Sequence, residues 1–389
     1  MTVQPNKRLL SLDVFRGATV AAMILVNNPG DWDHIYPPLE HSAWNGCTPT
    51  DLIFPFFLFI VGVSIVFAME AKKADPAQHK SLLLNLLRRT LVLALLALGM
   101  SGFPYFKPAN VQSIGVFQSF LSVLQTIRIP GVLMRIAISF GIAGFIYLKT
   151  TRKTQLWLFG IFLVTYYVLM TFVPVPGFGP ANLDAQTNLG AWIDRSVFTT
   201  AHLWKSSVTW DPEGLLGTIT AVATVLFGIQ VGTWLKRKDR DDVTKVAWMF
   251  TIGVAAAIAG KIWGLFFPIN KALWTSSFVL YTGGLATVFL AISYWLIDVQ
   301  GYKKFTAPFV AFGTNAIFVF VASGIVARSM NMIKVHDDKE ISLSGHLFNT
   351  FFKPLFSPVN ASLAYAIITV LFWFIIVWIL YKRKIIIKV

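Results

Sequence analysis

Ten stretches of this chain stay apolar long enough to cross a lipid bilayer: 12–28, 50–70, 84–102, 130–148, 155–173, 213–235, 244–266, 273–297, 305–328 and 361–381. A span needs about twenty largely apolar residues to bridge roughly 30 Å of hydrocarbon. The runs are continuous rather than alternating, which excludes a barrel of ten-residue strands and leaves helices. The pattern predicts an all-α polytopic membrane protein, with about ten transmembrane helices in a single bundle and one domain over residues 1–389. A weaker, half-apolar stretch, 111–127, carries Gln112, Gln118 and Gln125 near heptad spacing and reads as an interfacial or re-entrant helix.

Charge adds orientation to this picture. Only 13% of residues are charged, about half the share a soluble domain carries. The net charge of +15 does not point to nucleic acid, because Lys and Arg cluster in short runs between the apolar windows, as at Lys72-Lys73, Arg88-Arg89 and Lys236 to Arg240. Such runs mark cytoplasmic loops and predict both termini inside. Three outer segments, 29–49, 174–212 and 329–360, are then long enough to be functional. Lys7 and Arg8 precede a first span read as a signal anchor. The lone cysteine, Cys47, excludes an intrachain disulfide and a thiolate metal cluster, and no metal is expected.

The polar residues near the outer side carry the candidate chemistry. The first outer loop, DWDHIYPPLEHSAWNGCT, holds two of the six histidines, three acids and no Lys or Arg. His41 reads as a general base or nucleophile, or as a solvated loop residue. Asn27, at the outer end of the first span, reads as a donor to a developing oxyanion or as a helix cap. Asp51 opens the second span four residues before Pro55, which leaves the Asp51 carbonyl without its helical partner and makes a polar notch beside the His41 loop. Arg128 and Arg135 are seven apart, and Arg16 lies about 16 Å of helix rise below Asn27. These cations suit phosphates, although Arg16 also has Asp13 as a neighbour. Asp211 reads as an N-cap with Pro212 at the first helical position, and Glu213 then falls in the first turn.

Several segments taken together resemble one known family. LDVFRG, HSAWNG followed by TDLIFPFFLFIVG, RIPGVLMR, WDPEGLLGTI and PINKALW occur in this order, from about Arg8 to the C-terminal YKRKI. They are similar to the heparan-α-glucosaminide N-acetyltransferase family of transmembrane acyltransferases. The resemblance implies transfer of acetyl from cytosolic acetyl-CoA to the amine of a terminal glucosamine across the membrane. It places the family's active-site histidine on His41 and its asparagine on Asn27, and it implies a homodimer. It leaves Asp51, Glu213, Asn270, Lys271 and Trp274 as acceptor-binding candidates, and Arg16, Arg128 and Arg135 as acetyl-CoA-binding candidates. Lysosomal members carry a luminal domain and an extra span ahead of this core. This chain is therefore expected to be a bacterial-type form lying in the inner membrane among its lipids.

The resulting expectation is an acetyl-CoA:amino-sugar N-acetyltransferase. The rival reading is a transporter of amino sugars or lipid-linked glycans, for which midplane polar groups such as Lys261 and Asn315 are suited.

Overall fold

The structure is a computed structural model describing residues 9–106, 108–335 and 341–387. Lys7 and Arg8 lie outside the described residues. In chain order the helices are α1 Leu10–Asn27, α2 Ile53–Lys73, α3 His79–Gly102, α4 Pro108–Ile114, α5 Val116–Leu124, α6 Val132–Lys149, α7 Arg152–Phe172 and α8 Leu189–Phe198. They continue with α9 Thr218–Leu235, α10 Asp242–Trp263, α11 Ser276–Tyr294, α12 Ala307–Thr314, α13 Ala316–Met332, α14 Leu343–Phe351 and α15 Pro358–Lys382.

Among the described residues nine helical segments are long and apolar enough to cross a membrane, and each answers to one of the predicted windows. The tenth window, 305–328, is not a straight helix. It is the pair α12 and α13, bent by 76° at Asn315. The 111–127 stretch forms two short helices, α4 and α5, joined at Gly115 with φ 82°. A left-handed position of that kind suits a residue without a Cβ.

The bundle is organised around α2 and α9, whose facing residues Leu58, Phe59, Val63, Ala223, Val225 and Leu226 are fully buried. Helices in lipid have no hydrophobic force between them, so close approach of small residues decides packing. A Cβ added at Gly62 would stand 2.1 Å from the Val225 carbonyl oxygen, which backbone cannot yield. Gly62→Val is therefore expected to destabilise the protein by about 3 kcal/mol or more, read as a large drop in melting temperature. Gly160→Ala on α7, where an added Cβ meets nothing within 4 Å, should leave it unchanged or slightly raised. Equal behaviour of the two variants would remove this account of the α2–α9 contact.

Candidate active site

The site is built where the loop between α1 and α2 meets the loop between α10 and α11. Two 3-10 turns, Pro37–Leu39 and Pro49–Leu52, shape the first loop. Asp51 is almost fully buried at the start of the second span. Its carboxylate accepts from the backbone N–H of Thr48 at 3.0 Å and of Ser42 at 3.1 Å, and from His41 Nδ1 at 2.7 Å. Three donors compensate the cost of burying the charge. The His41 side chain is half exposed. With Nδ1–H given to Asp51, the Nε2 lone pair is the one available for chemistry, which is how a carboxylate orients a working histidine.

The second loop delivers a lysine to this pair. Lys271 Nζ lies 3.0 Å from His41 Nδ1, 3.1 Å from Nε2 and 3.6 Å from Asp51 Oδ1. Burial pushes its ammonium below the ordinary lysine value, with Asp51 and Glu213 acting in the opposite direction. The two loops are tied by the Gly46 N–H donating to the Ile269 carbonyl at 2.7 Å and by Asn270 Nδ2 donating to Asn45 Oδ1 at 3.2 Å. Asn270 also accepts from the Leu273 N–H at 2.9 Å and is wholly buried. It positions Lys271 and does not face a substrate. Trp274 is buried too, with φ 56° and its indole N–H given to Thr224 at 3.0 Å. Of the five acceptor-binding candidates, Asp51, Glu213 and Lys271 face the cavity, while Asn270 and Trp274 stand behind its wall.

That cavity has a volume of about 1640 Å³ and runs along α2. Its lining includes Asn27, His41, Asp51 and Lys271 at one end, and Lys72, Asn85 and Arg89 toward the other. Asp51 to Lys72 corresponds to about 31 Å of rise at 1.5 Å per residue, close to the hydrocarbon thickness. Asn27 is exposed to this space, and its amide makes no hydrogen bond to another described residue. The helix-stop role falls on its neighbour: Asn28 is the C-cap of α1 and its Nδ2 donates to the Ile24 carbonyl at 2.8 Å.

The three arginines part company. Arg16 lines the cavity, with Nη1 3.1 Å from Asp13 and Nη2 donating to Ser64 Oγ at 2.8 Å. Arg128 sits ahead of α6, which begins at Val132, so it shares no helix with Arg135. Its guanidinium is forked onto Asp211 at 2.8 and 2.6 Å and reaches Glu213 at 2.5 Å. Burial works against this charge, but the two carboxylates outweigh it and hold Arg128 above the ordinary arginine value. Arg135 is buried outside the cavity lining and donates to the Gly214 carbonyl at 2.8 Å. The Arg128 fork is thus taken by carboxylates, and the Arg135 Nε and Nη1, without a hydrogen-bond partner among the described residues, lie away from the cavity.

Asp211 corrects the sequence expectation as well. It is not an N-cap: α9 begins at Thr218, and the Asp211 carboxylate is taken by Arg128 and by the backbone N–H of Trp204 at 3.0 Å and of Glu213 at 2.9 Å. A bidentate charged partner is stronger than a capping bond, so the helix starts later and Glu213 stays in the loop. Lys72 and Arg89 were legible only as loop charge. Arg89 lies ten residues into α3, and an arginine at that depth in a span is itself the signal.

Residues 8–188 match the family model described as heparan-alpha-glucosaminide N-acetyltransferase, catalytic. Over those residues the chain resembles that family. It is 27% identical to the heparan-alpha-glucosaminide N-acetyltransferase of Mus musculus and 26% identical to that of Homo sapiens, in each case over 98% of its own length. It spans 60% of the length of each of these relatives. The family match contains Arg16, Asn27, His41, Asp51 and Arg89, and ends before Glu213 and Lys271.

Proposed function

We propose that this chain is a membrane-embedded N-acetyltransferase, taking acetyl from acetyl-CoA at the Lys72–Arg89 end of the cavity and giving it to the amine of a glucosamine-type sugar at the His41 end. The observation that carries this reading is one cavity lined by a His–Asp pair and by the cations Arg16, Arg89 and Lys72, the last about a membrane thickness of helix rise away. The names of the relatives supply the substrate pair. Arg16, Lys72 and Arg89 would hold the phosphates, on the cytosolic side that the Lys/Arg clusters define, with both termini inside. Arg128 and Arg135 have no part in the donor site under this proposal. The family resemblance is the basis for placing a homodimer in a bacterial cytoplasmic membrane.

Two chemical routes fit the residues. In one, His41 Nε2 takes a proton from the acceptor ammonium, the free amine adds to the thioester carbonyl, and the tetrahedral intermediate collapses with the C–S bond breaking and the second amine proton passing to the departing CoA thiolate. In the other, Nε2 attacks the thioester first, CoA leaves as the thiolate and takes the acceptor ammonium's proton, and the amine then displaces the imidazole from the acetyl carbon, its second proton passing to that imidazole. Asp51 holds the imidazole by Nδ1 in both, and the Asn27 amide donates to the tetrahedral oxyanion. Lys271 fixes the ring from the opposite loop and moves away from Nε2 as the reacting carbon arrives.

Two measurements test the assignment. Saturating acetyl-CoA should raise the melting temperature, since a ligand at a hundred times its Kd stabilises by about 2.7 kcal/mol, and Arg89→Ala should weaken that rise. A melting temperature that acetyl-CoA leaves unmoved removes the donor from the proposal. Asn27→Ala should raise the barrier by about 3 kcal/mol without lowering stability, because Asn28 keeps the helix cap. Loss of stability with turnover intact would return Asn27 to a structural role.

A further inference from the structure

The C-terminal segment folds back onto the helix break at Asn315. Asn315 is buried and stands between α12 and α13, yet its side chain caps neither helix. A helix break leaves orphaned backbone groups that a side-chain amide would ordinarily satisfy. Here the amide is directed elsewhere. Its Nδ2 donates to the Ile385 carbonyl at 3.1 Å, and its Oδ1 accepts from the Ile387 N–H at 2.9 Å. One side chain thus pairs with the tail backbone as a neighbouring strand would.

The end of α15 is shaped to send the tail there. Lys384 adopts φ 55°, its N–H bonds the Tyr381 carbonyl at 3.0 Å, and the Ile385 N–H bonds the Leu380 carbonyl at 2.9 Å. This paired bonding is a Schellman stop, with lysine in a left-handed position usually held by glycine. The chain reverses there and runs back toward the break with three consecutive isoleucines, Ile385, Ile386 and Ile387, each 42–45% exposed. Ile386 and Ile387 line the same cavity as Gly313, Thr314 and Ala316 on the break, and as Arg16, Lys72 and Arg89. The break is level with Arg16, because a Cβ on Gly313 would stand 2.3 Å from the Asp13 carbonyl oxygen.

We infer that Asn315 is a positioning residue for the donor: it clasps the C-terminal segment so that Ile386 and Ile387 form the apolar wall facing the cations. A ligand that fits between such walls carries anionic groups on one side and a flat apolar ring on the other, which is the chemistry of a nucleotide such as the adenosine phosphate end of CoA. The inference rests on the proposed reading of the cavity as an acetyl-CoA site.

Asn315→Ala in the full-length chain should raise the KM for acetyl-CoA about tenfold or more, with kcat at saturating donor within about twofold and the acceptor KM unchanged. A lower melting temperature with an unchanged donor KM would make the clasp merely structural. A lowered donor KM would mean that the tail obstructs the site. Either result overturns the inference. Thiol protection serves if Asn315→Ala does not fold. Ile387→Cys should be alkylated by a small maleimide at least about tenfold more slowly with acetyl-CoA, whose sulfur is a thioester and does not consume the reagent, than without it, whereas exposed Lys353→Cys should be unaffected. The native Cys47 interferes little, since burial, aided by Asp51, pushes its thiol up to about 12. Equal rates at position 387 with and without acetyl-CoA, in a protein whose melting temperature acetyl-CoA still raises, would remove the tail from the donor site alone. Equal rates with no such rise would remove the parent reading and the inference together.

Discussion

His41→Ala is expected to slow acetyl transfer by at least about a hundredfold, the usual scale for a positioned acid–base group, while the protein stays folded and still binds acetyl-CoA. The side chain is half exposed at the end of a cavity, so truncation opens no hole in the core. Its loss leaves Asp51 with two backbone donors and with Lys271 at 3.6 Å, so the buried carboxylate remains compensated. Turnover would be followed by CoA release with glucosamine as acceptor, and binding by thermal shift. Near wild-type turnover in a folded His41→Ala protein would move the base to Asp51 or Glu213.

Asp51→Asn should approach the His41→Ala loss without exceeding it, about a hundredfold or more in turnover, because Asp51 acts through His41. An asparagine can turn its NH₂ toward Nδ1, which selects the tautomer with the proton on Nε2, and tautomer errors of this kind are among the most damaging in histidine catalysis. The same substitution keeps one oxygen for the Ser42 and Thr48 N–H groups, at a stability cost of about 1–3 kcal/mol. The two effects separate experimentally: a melting curve reads the second, and initial rates below the melting transition read the first. A turnover loss no larger than the loss of folded protein would make Asp51 a structural carboxylate.

Much of this was legible before any coordinates. Continuous apolar runs mark lipid-crossing helices almost by composition alone, since backbone groups in hydrocarbon must be satisfied within the segment. Asp51 was legible as a membrane-embedded acid, and Lys271 only as part of a motif. Their meeting at His41 was not legible, because it depends on Asn270 tying together two loops separated by 225 positions. The Trp210–Gly217 region was misread for the same reason: Asp211 is a sound N-cap by local rules, and only the distant Arg128 redirects it. The break was legible only as a polar residue, Asn315, inside a window, 305–328, whose mean hydropathy still reads as one span. It arises where the tail returns to supply the backbone partner. Trp274 and Asn270, carried as acceptor-binding candidates by their motif, lie behind the cavity lining, since side-chain direction in an irregular turn does not follow from spacing.

The central claim is that one cavity joins an acetyl-CoA end to an amine-acetylating end across the membrane. Purified protein in sealed vesicles, with acetyl-CoA confined to one side and glucosamine to the other, tests it most directly. The account predicts N-acetylglucosamine on the acceptor side, free CoA on the donor side, and neither product with His41→Ala. Unmodified glucosamine crossing to the acetyl-CoA side, or acetylation only when both substrates share a compartment, would contradict it.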